Sequence, residues 1–201
     1  ARGNYRPIEV FRDFLLTEVD LKRIRSDEGL RMAVIEKGIS KDDPSSERFF
    51  GGRYIVPYDK GGESDAGGGW MPNYWVPTNY FIDWSEWSLN RMKTYTIAQR
   101  IRDKNERKAI KPHYETTMCA IIRTPNLYFS ESISFSRTGV YAPTFRVGSS
   151  SSFDTEGSMI FLPPEIGAHT GIGFLASHQL KLLCKNFLGH TVHCQVDELK
   201  E

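Results

Sequence analysis

The segment from Tyr128 to Phe161 constrains the fold most, because apolar and polar side chains alternate along it between glycine and proline breaks. Within it, YFSESISFSRT, PTFRVG and GSMIFLP predict three strands. Alternate side chains of a strand point to opposite faces. In the first strand, one face carries Ser130, Ser132, Ser134 and Ser136, and the other carries Glu131, Ile133, Phe135 and Arg137. The serines are either exposed hydrogen-bonding groups or the polar outer face of an ordinary antiparallel hairpin.

The flanking sequence adds helices and short strands. Apolar spacing predicts two helices within residues 6–38, the first over residues 8–15 and the second over residues 21–35, and one amphipathic helix over residues 171–188. Aromatic and β-branched residues favour short strands from Phe49 onward and a buried strand, TTMCAIIRT, over residues 116–124. We therefore predict an α+β fold, with a mixed, mostly antiparallel sheet flanked by helices and an N-terminal helical segment. The polar run KDDPSSER indicates a boundary between residues 1–42 and 48–201.

Composition indicates a folded chain without a membrane anchor. Its 201 residues are 39% hydrophobic and 12% aromatic, which is enough to build a core. Three scattered cysteines favour a reducing cytosol over a disulfide framework. The sequence contains no apolar run of about 18 residues, so we expect no membrane partner. It begins without Met and stops in a polar stretch, and we therefore expect a piece of a longer protein.

Positive charge is concentrated in one segment. Between Arg91 and Lys111 there are eight basic and two acidic residues, net +6, whereas the rest of the chain carries −5. Such a block can follow a phosphate backbone and release counterions. Its alternative interpretation is the solvated face of an ordinary helix.

No catalytic centre is predicted in this chain. The sequence lacks the Asn-Pro-Pro-Tyr type of loop with which an adenine methyltransferase grips a flipped base, and it lacks nucleotide-binding glycine motifs and a Gly-x-Ser-x-Gly nucleophile. Four possible zinc ligands, Cys184, His190, His193 and Cys194, lie close in sequence. Because His193 and Cys194 are adjacent, a strand would point them to opposite faces, and we expect no metal site.

Three side chains at the end of the first predicted strand and after it are suited to nucleic acid. Arg137 precedes a turn at Gly139, and Tyr141 and Arg146 follow it. Arginine pairs with guanine edges or clamps phosphate, and Ser and Tyr hydroxyls donate to phosphate oxygens.

The order of short motifs in the same region is informative. Tyr128-Phe129 precedes an acidic residue and the strand Ser132-Ile133-Ser134-Phe135-Ser136; a Tyr141-to-Arg146 pair and then Phe153-Asp154-Thr155-Glu156-Gly157 follow. This order resembles the C-terminal target-recognition region of large single-chain adenine methyltransferases. These are the type IIG restriction–modification enzymes and the BREX-type phage-exclusion methylases, whose strand has the form Gly-Ile-Thr-Trp-Ser.

The resemblance extends over residues 48–199. Its outer motifs are Phe50-Gly51-Gly52, Ile82-Asp83-Trp84, Gly173-Phe174-Leu175-Ala176-Ser177 and Gln195-Val196-Asp197-Glu198-Leu199. The chain departs from the family pattern where Ser132 replaces Gly, Phe135 replaces Trp and Ala176 replaces Asn. No single motif is specific, so the resemblance depends on order and spacing.

The resemblance implies a division of labour. Residues 48–201 would recognise a duplex DNA sequence, and residues 1–42 would connect them to an N-terminal catalytic domain. That domain would bind S-adenosylmethionine and methylate adenine in bacterial cytoplasm, with or without a fused endonuclease. This chain would hold neither catalytic residue nor cofactor. Candidate DNA-binding residues are Arg137, Tyr141, Arg146, Ser134, Ser136, Lys93, Arg100, Arg102, Lys104, Arg107 and Lys108.

Two other hypotheses remain open. In the first, aromatic residues form a protein-docking face without direct DNA contact; these are Trp70, Tyr74, Trp75, Tyr80 and Trp84. In the second, the chain is an enzyme whose chemistry the sequence does not reveal.

Overall fold

A computed structural model describes residues 11–42, 50–59, 80–103, 110–120, 122, 124–136, 144–148, 152–153, 157–163 and 165–187. Within these ranges the chain forms six α-helices and two three-stranded sheets, which confirms the predicted α+β class. The helices are α1 (Glu18–Ser26), α2 (Glu28–Lys37), α3 (Glu86–Thr94), α4 (Ile97–Asp103), α5 (Ala168–Leu175) and α6 (His178–Phe187). The strands are β1 (Ile55–Asp59), β2 (Phe81–Asp83), β3 (Ile133–Ser136), β4 (Phe145–Val147), β5 (Ser152–Phe153) and β6 (Gly157–Ile160).

The chain divides into two compact units. Described residues within 1–56 and 81–128 form the first unit, and those within 57–80 and 129–201 form the second. Residues 43–48, where the sequence indicates a boundary, lie outside the described ranges. The division into 1–42 and 48–201 therefore stays a prediction.

Helix α1 of the first unit begins with a capping box. The Thr17 hydroxyl accepts from the backbone N–H of Asp20 at 3.2 Å, and the Asp20 carboxylate accepts from the backbone N–H of Thr17 at 2.9 Å. These bonds satisfy two N–H groups that would otherwise lack partners at the helix start. The Asp27 side chain caps the next helix, α2, by accepting from Leu30 N at 2.9 Å.

The same Asp20 carboxylate forms an ion pair with Arg53. Arg53 Nε and one terminal nitrogen donate to the two carboxylate oxygens at 3.0 and 3.2 Å. Burial raises the pKa of Asp20, but the hydrogen bonds from Arg53 and Thr17 outweigh it, so the pKa lies below its ordinary value. One carboxylate thus stabilises both the start of α1 and the segment before β1.

Trp84 belongs to the core of the first unit. Its side chain is 2% exposed, and its indole N–H donates to the Val34 carbonyl at 2.9 Å. Its ring meets Tyr128 edge-on at a centroid distance of 5.8 Å. The hypothesis of a docking face that includes Trp84 is therefore wrong at this residue. Trp70, Tyr74 and Trp75 lie outside the described residues.

Strand β1 is central in the mixed sheet, in the order β2-β1-β5. Trp84 N donates to Tyr54 O, and Tyr58 N donates to Tyr80 O. Residue numbers therefore rise along β1 as they fall along β2, as an antiparallel pair requires. Strand β5 pairs with β1 in parallel, with Tyr58 opposite Ser152.

The second unit contains the antiparallel sheet β4-β3-β6. Ser134 of β3 lies opposite Arg146 on one side and Met159 on the other. Ile133 and Phe135 point to the opposite face and form a core cluster with Phe145, Ala168 and Ile172. Helix α5 thus covers one face of this sheet, and its first turn donates from Ala168 N to the Glu131 carboxylate at 3.3 Å.

Several predicted elements differ from the structure. In the described part of the first predicted helix, Arg12–Phe14 is a 3-10 turn and Leu15 forms an isolated bridge with Ile55. The second predicted helix is divided into α1 and α2 at Asp27, whose side chain caps α2.

No strand forms in the described part of residues 116–124, where Met118 is exposed and makes one isolated bridge to Thr96. The single helix predicted over residues 171–188 is two helices, and the Ser177 hydroxyl accepts from Leu180 N where the second begins. None of the helices in the described ranges is long and apolar enough to cross a membrane.

Candidate nucleic-acid interface on helices α3 and α4

Helix α3 has one buried and one exposed face. Ser85 precedes it, and the Ser85 hydroxyl accepts from Ser88 N at 3.4 Å. Ser88, Leu89 and Met92 are buried in the first unit. On the opposite face lie Glu86, Trp87, Asn90, Lys93 and Thr94, all exposed. This helix therefore presents a row of aromatic, amide and cationic groups to solvent.

Arg91 holds the exposed Trp87 ring in place. The Arg91 guanidinium carbon lies 5.3 Å from the centre of the Trp87 ring and 3.9 Å from that of Tyr95. The guanidinium also forms an ion pair with Asp103 at the end of α4, and the Tyr95 hydroxyl donates to the same carboxylate. Trp87, at the end of this series of contacts, remains 65% exposed.

Lys93, a predicted phosphate contact, also binds the end of α2. Its ammonium donates to the carbonyl oxygens of Glu36 at 2.7 Å and of Ile35 at 3.4 Å. A cation here offsets the negative end of the α2 dipole. Because an ammonium has three N–H donors, one remains for an external acceptor.

Two further described members of the basic block lie on α4, and a third, Lys111, is exposed after it. Arg102 is exposed and forms an ion pair with Glu115, while Arg100 is half-buried. The structure thus brings Lys93, Arg100 and Arg102 onto consecutive helices of one unit. Lys104, Arg107 and Lys108 lie outside the described residues.

Carboxylates offset much of the charge that the sequence concentrates here. Asp103 pairs with Arg91, and Glu115 pairs with Arg102. Asp103 is one of the two acidic residues within the basic block, whereas Glu115 follows the block in the chain. The net +6 of residues 91–111 already counts Asp103, so the pairing with Glu115 is what makes the surface of α3 and α4 less positive than that value suggests.

Arg146 lies in the interior of the second unit. It is 3% exposed, and its guanidinium donates to the Asp59 carboxylate at 2.9 Å. This ion pair joins β4 to β1. A direct contact between Arg146 and DNA would require the buried pair to open.

Ser134 is also buried, so its interpretation as an exposed hydrogen-bonding group is wrong. It is 0% exposed, and its hydroxyl has no hydrogen-bond partner among the described residues. The physical reason is that both faces of β3 are covered, since Ile133 and Phe135 are buried as well. Ser136 is the last residue of β3, but its side chain lies outside the described part, as do Arg137 and Tyr141.

Sequence reasoning missed Trp87 and Asn90 as candidate binding residues. The available signal was the spacing of Ser88, Leu89 and Met92, which places Trp87 off the buried face of a helix. An exposed Trp is unusual because large aromatic side chains are mostly buried.

No cluster of three or more potential metal ligands occurs among the residues that the structure describes. Cys184 is buried in α6, and the other residues of the zinc hypothesis, His190, His193 and Cys194, lie outside those residues. Comparisons with protein-family models, with curated proteins and with solved structures each find no match.

Proposed function

We propose that this chain is the target-recognition domain of a larger adenine-specific DNA methyltransferase. The observation that carries the proposal is the ordered succession of motifs from Phe50-Gly51-Gly52 to Phe153-Asp154 and beyond. The proposal assigns sequence-specific duplex binding to this chain. S-adenosylmethionine and the methyl transfer belong to an N-terminal domain, and the whole protein acts in bacterial restriction–modification or phage defence in the cytoplasm.

The α3–α4 surface supports the DNA-binding part of this proposal. Lys93 and Arg102 are exposed there, and Arg100, two residues before Arg102, is half-buried. Lysine and arginine on adjacent helices suit phosphates along one groove edge. Intramolecular carboxylates at Asp103 and Glu115 reduce the expected number of released counterions.

The proposal is tested by removing these charges. The variant Lys93→Ala/Arg100→Ala/Arg102→Ala should weaken duplex binding and flatten the plot of log affinity against log salt, by about 0.9 for each phosphate that the protein no longer neutralises. A matched control, Arg12→Ala/Lys22→Ala/Lys41→Ala, removes three exposed cations from other elements of the same unit. Equal flattening by both variants, or wild-type binding that ignores salt, contradicts the proposal.

A second candidate function is protein docking. Phe174 of α5 and Leu182 and Leu183 of α6 are exposed, at 67%, 45% and 51%. Exposed apolar side chains on neighbouring helices favour a protein contact. If replacing them by serine abolishes association with a methyltransferase domain while duplex binding persists, both functions hold. If wild-type protein ignores duplexes and docks, the second replaces the first.

Catalysis by this chain alone is a third possibility that a direct assay addresses. The proposal predicts no methyl transfer when the chain is incubated with labelled S-adenosylmethionine and duplex DNA. Transfer of the label to DNA in that assay would contradict the assignment of the chemistry to another domain.

A further inference from the structure

The exposed row of α3 includes two residues, Trp87 and Asn90, that are not among the predicted binding residues. Trp87 and Asn90 are three positions apart, so their side chains are neighbours on the helix surface. Asn90 is exposed, and its side-chain amide has no hydrogen bond to another described residue. An open groove runs beside this row and is lined by Glu36, Lys37, Glu86, Trp87, Asn90 and Lys93.

The Trp87 ring is oriented before any partner binds. Arg91 stacks on the ring, and Tyr95 and Asp103 fix Arg91. A side chain that is already ordered loses less conformational entropy on binding. These contacts therefore favour a binding role for Trp87 over the alternative, an exposed side chain without a function.

Resting on the proposed function, we infer that α3 is a base-reading helix and that Asn90 reads an adenine. An asparagine amide can pair with the N6 and N7 atoms of adenine in the major groove. Lys93 retains one N–H donor for a phosphate or a guanine. Glu86, one turn before Asn90, can accept from the amino group of cytosine. An α-helix with its side chains is about 10–12 Å across, so the exposed face of α3 can enter a major groove about 12 Å wide.

The groove lining favours duplex DNA over a peptide as the occupant. Lys and Glu are depleted in the cores of protein interfaces, yet Lys37, Lys93, Glu36 and Glu86 make up most of this lining. Lys93 lies near the C-terminal end of α3, and Arg100 and Arg102 lie on the next helix, α4. A duplex can contact the exposed face of α3 and these cations together.

The test is selection from a pool of randomised duplexes, performed with wild type, Asn90→Ala and Asn126→Ala. Asn126 is a matched control because it is an exposed asparagine of the same unit, far from α3 in the chain. We expect Asn90→Ala to lose preference for adenine at one position by about tenfold, and to keep its helical circular dichroism and the salt dependence of binding. Asn126→Ala should select the wild-type sequence.

The other outcomes separate two claims, base reading by α3 and the proposed function of duplex recognition. If Asn90→Ala selects the wild-type sequence at full affinity, α3 does not read bases, whereas the proposed function stands. If wild type enriches no sequence, both claims fail. Trp87→Ala should lower affinity for the selected duplex several-fold. Unchanged affinity assigns the ring to a partner other than DNA and overturns its role here.

Discussion

Asp20 makes two stabilising sets of contacts through its ionised carboxylate. It satisfies the start of α1 and pairs with Arg53. Its folded-state pKa lies below the ordinary value of 3.8. A carboxyl of this kind stabilises the fold at pH values above its unfolded-state pKa, and the contribution disappears as the pH falls through its folded-state pKa.

We therefore expect Asp20→Asn to lower the free energy of unfolding by about 1–3 kcal/mol at neutral pH, because the substitution removes a charge-assisted bidentate ion pair. The difference from wild type should shrink as pH falls below 3.8. Urea denaturation across this range measures it, with the exposed Asp42→Asn as control. A constant difference at all pH values would show that the charge of Asp20 is unimportant.

Variants of Arg146 test whether this arginine stabilises the fold or binds DNA. Because Arg146 and Asp59 are buried together, Arg146→Ala leaves a buried carboxylate without its ion-pair partner, and we expect a loss of about 3–5 kcal/mol. The double variant Asp59→Leu/Arg146→Met should lose less. Denaturation curves measure both changes. Normal stability together with weaker DNA binding would instead favour Arg146 as a DNA contact.

The role of Arg146 shows what sequence cannot reveal at this scale. Arg146 was a candidate DNA contact because arginine can pair with guanine edges or clamp phosphate, but its partner Asp59 is 87 residues away in the chain. The alternation in β3 correctly separated Ile133 and Phe135 from Ser134. It could not reveal that the serine face is also covered, because burial of a second face depends on tertiary contacts.

At the scale of elements, local patterns predicted strands β4 and β6, which lie within PTFRVG and GSMIFLP. The helical character of the N-terminal segment was also predicted, but the division into α1 and α2 was not, because the predicted second helix runs across the Asp27 cap between them. The apolar run at residues 116–124 wrongly predicted a strand, because β propensity depends strongly on packing against neighbouring strands. The break between α5 and α6 was missed because apolar spacing continues across Ser177, whose hydroxyl caps the second helix.

Two glycines of α5 should respond oppositely to alanine. A Cβ at Gly171 would lie 2.1 Å from Leu162 Cδ1 and 2.9 Å from Ile133 Cδ1, whereas a Cβ at Gly173 meets nothing within 4 Å. Gly173→Ala should therefore stabilise by about 0.5–1 kcal/mol through helix propensity. Gly171→Ala should destabilise by about 1–3 kcal/mol through overpacking.

Thermal or urea denaturation of both variants checks this prediction. Each substitution adds the same methyl group to the same helix, so propensity alone predicts equal effects. Equal stabilisation would therefore contradict the close packing of Gly171 against β3.

For the whole molecule, composition and periodicity were sufficient to predict the α+β class. The candidate site was predicted less well. The charge block located Lys93, Arg100 and Arg102, but the positions of Glu115 and Trp87 on the surface follow from how the helices pack. Side chains distant in sequence neutralise or expose one another only after folding, and a linear pattern does not contain that information.

Duplex recognition through α3 and α4 is best tested by hydrogen–deuterium exchange with and without a mixed-sequence duplex. This measurement reports both whether DNA binds and which helices it contacts. We predict slower exchange in peptides covering α3 and α4, residues 86–103, when DNA is added at low salt. Exchange in α5 and α6, residues 168–187, should be unchanged. Slower exchange confined to α5 and α6, or no change anywhere, would contradict duplex recognition through α3 and α4.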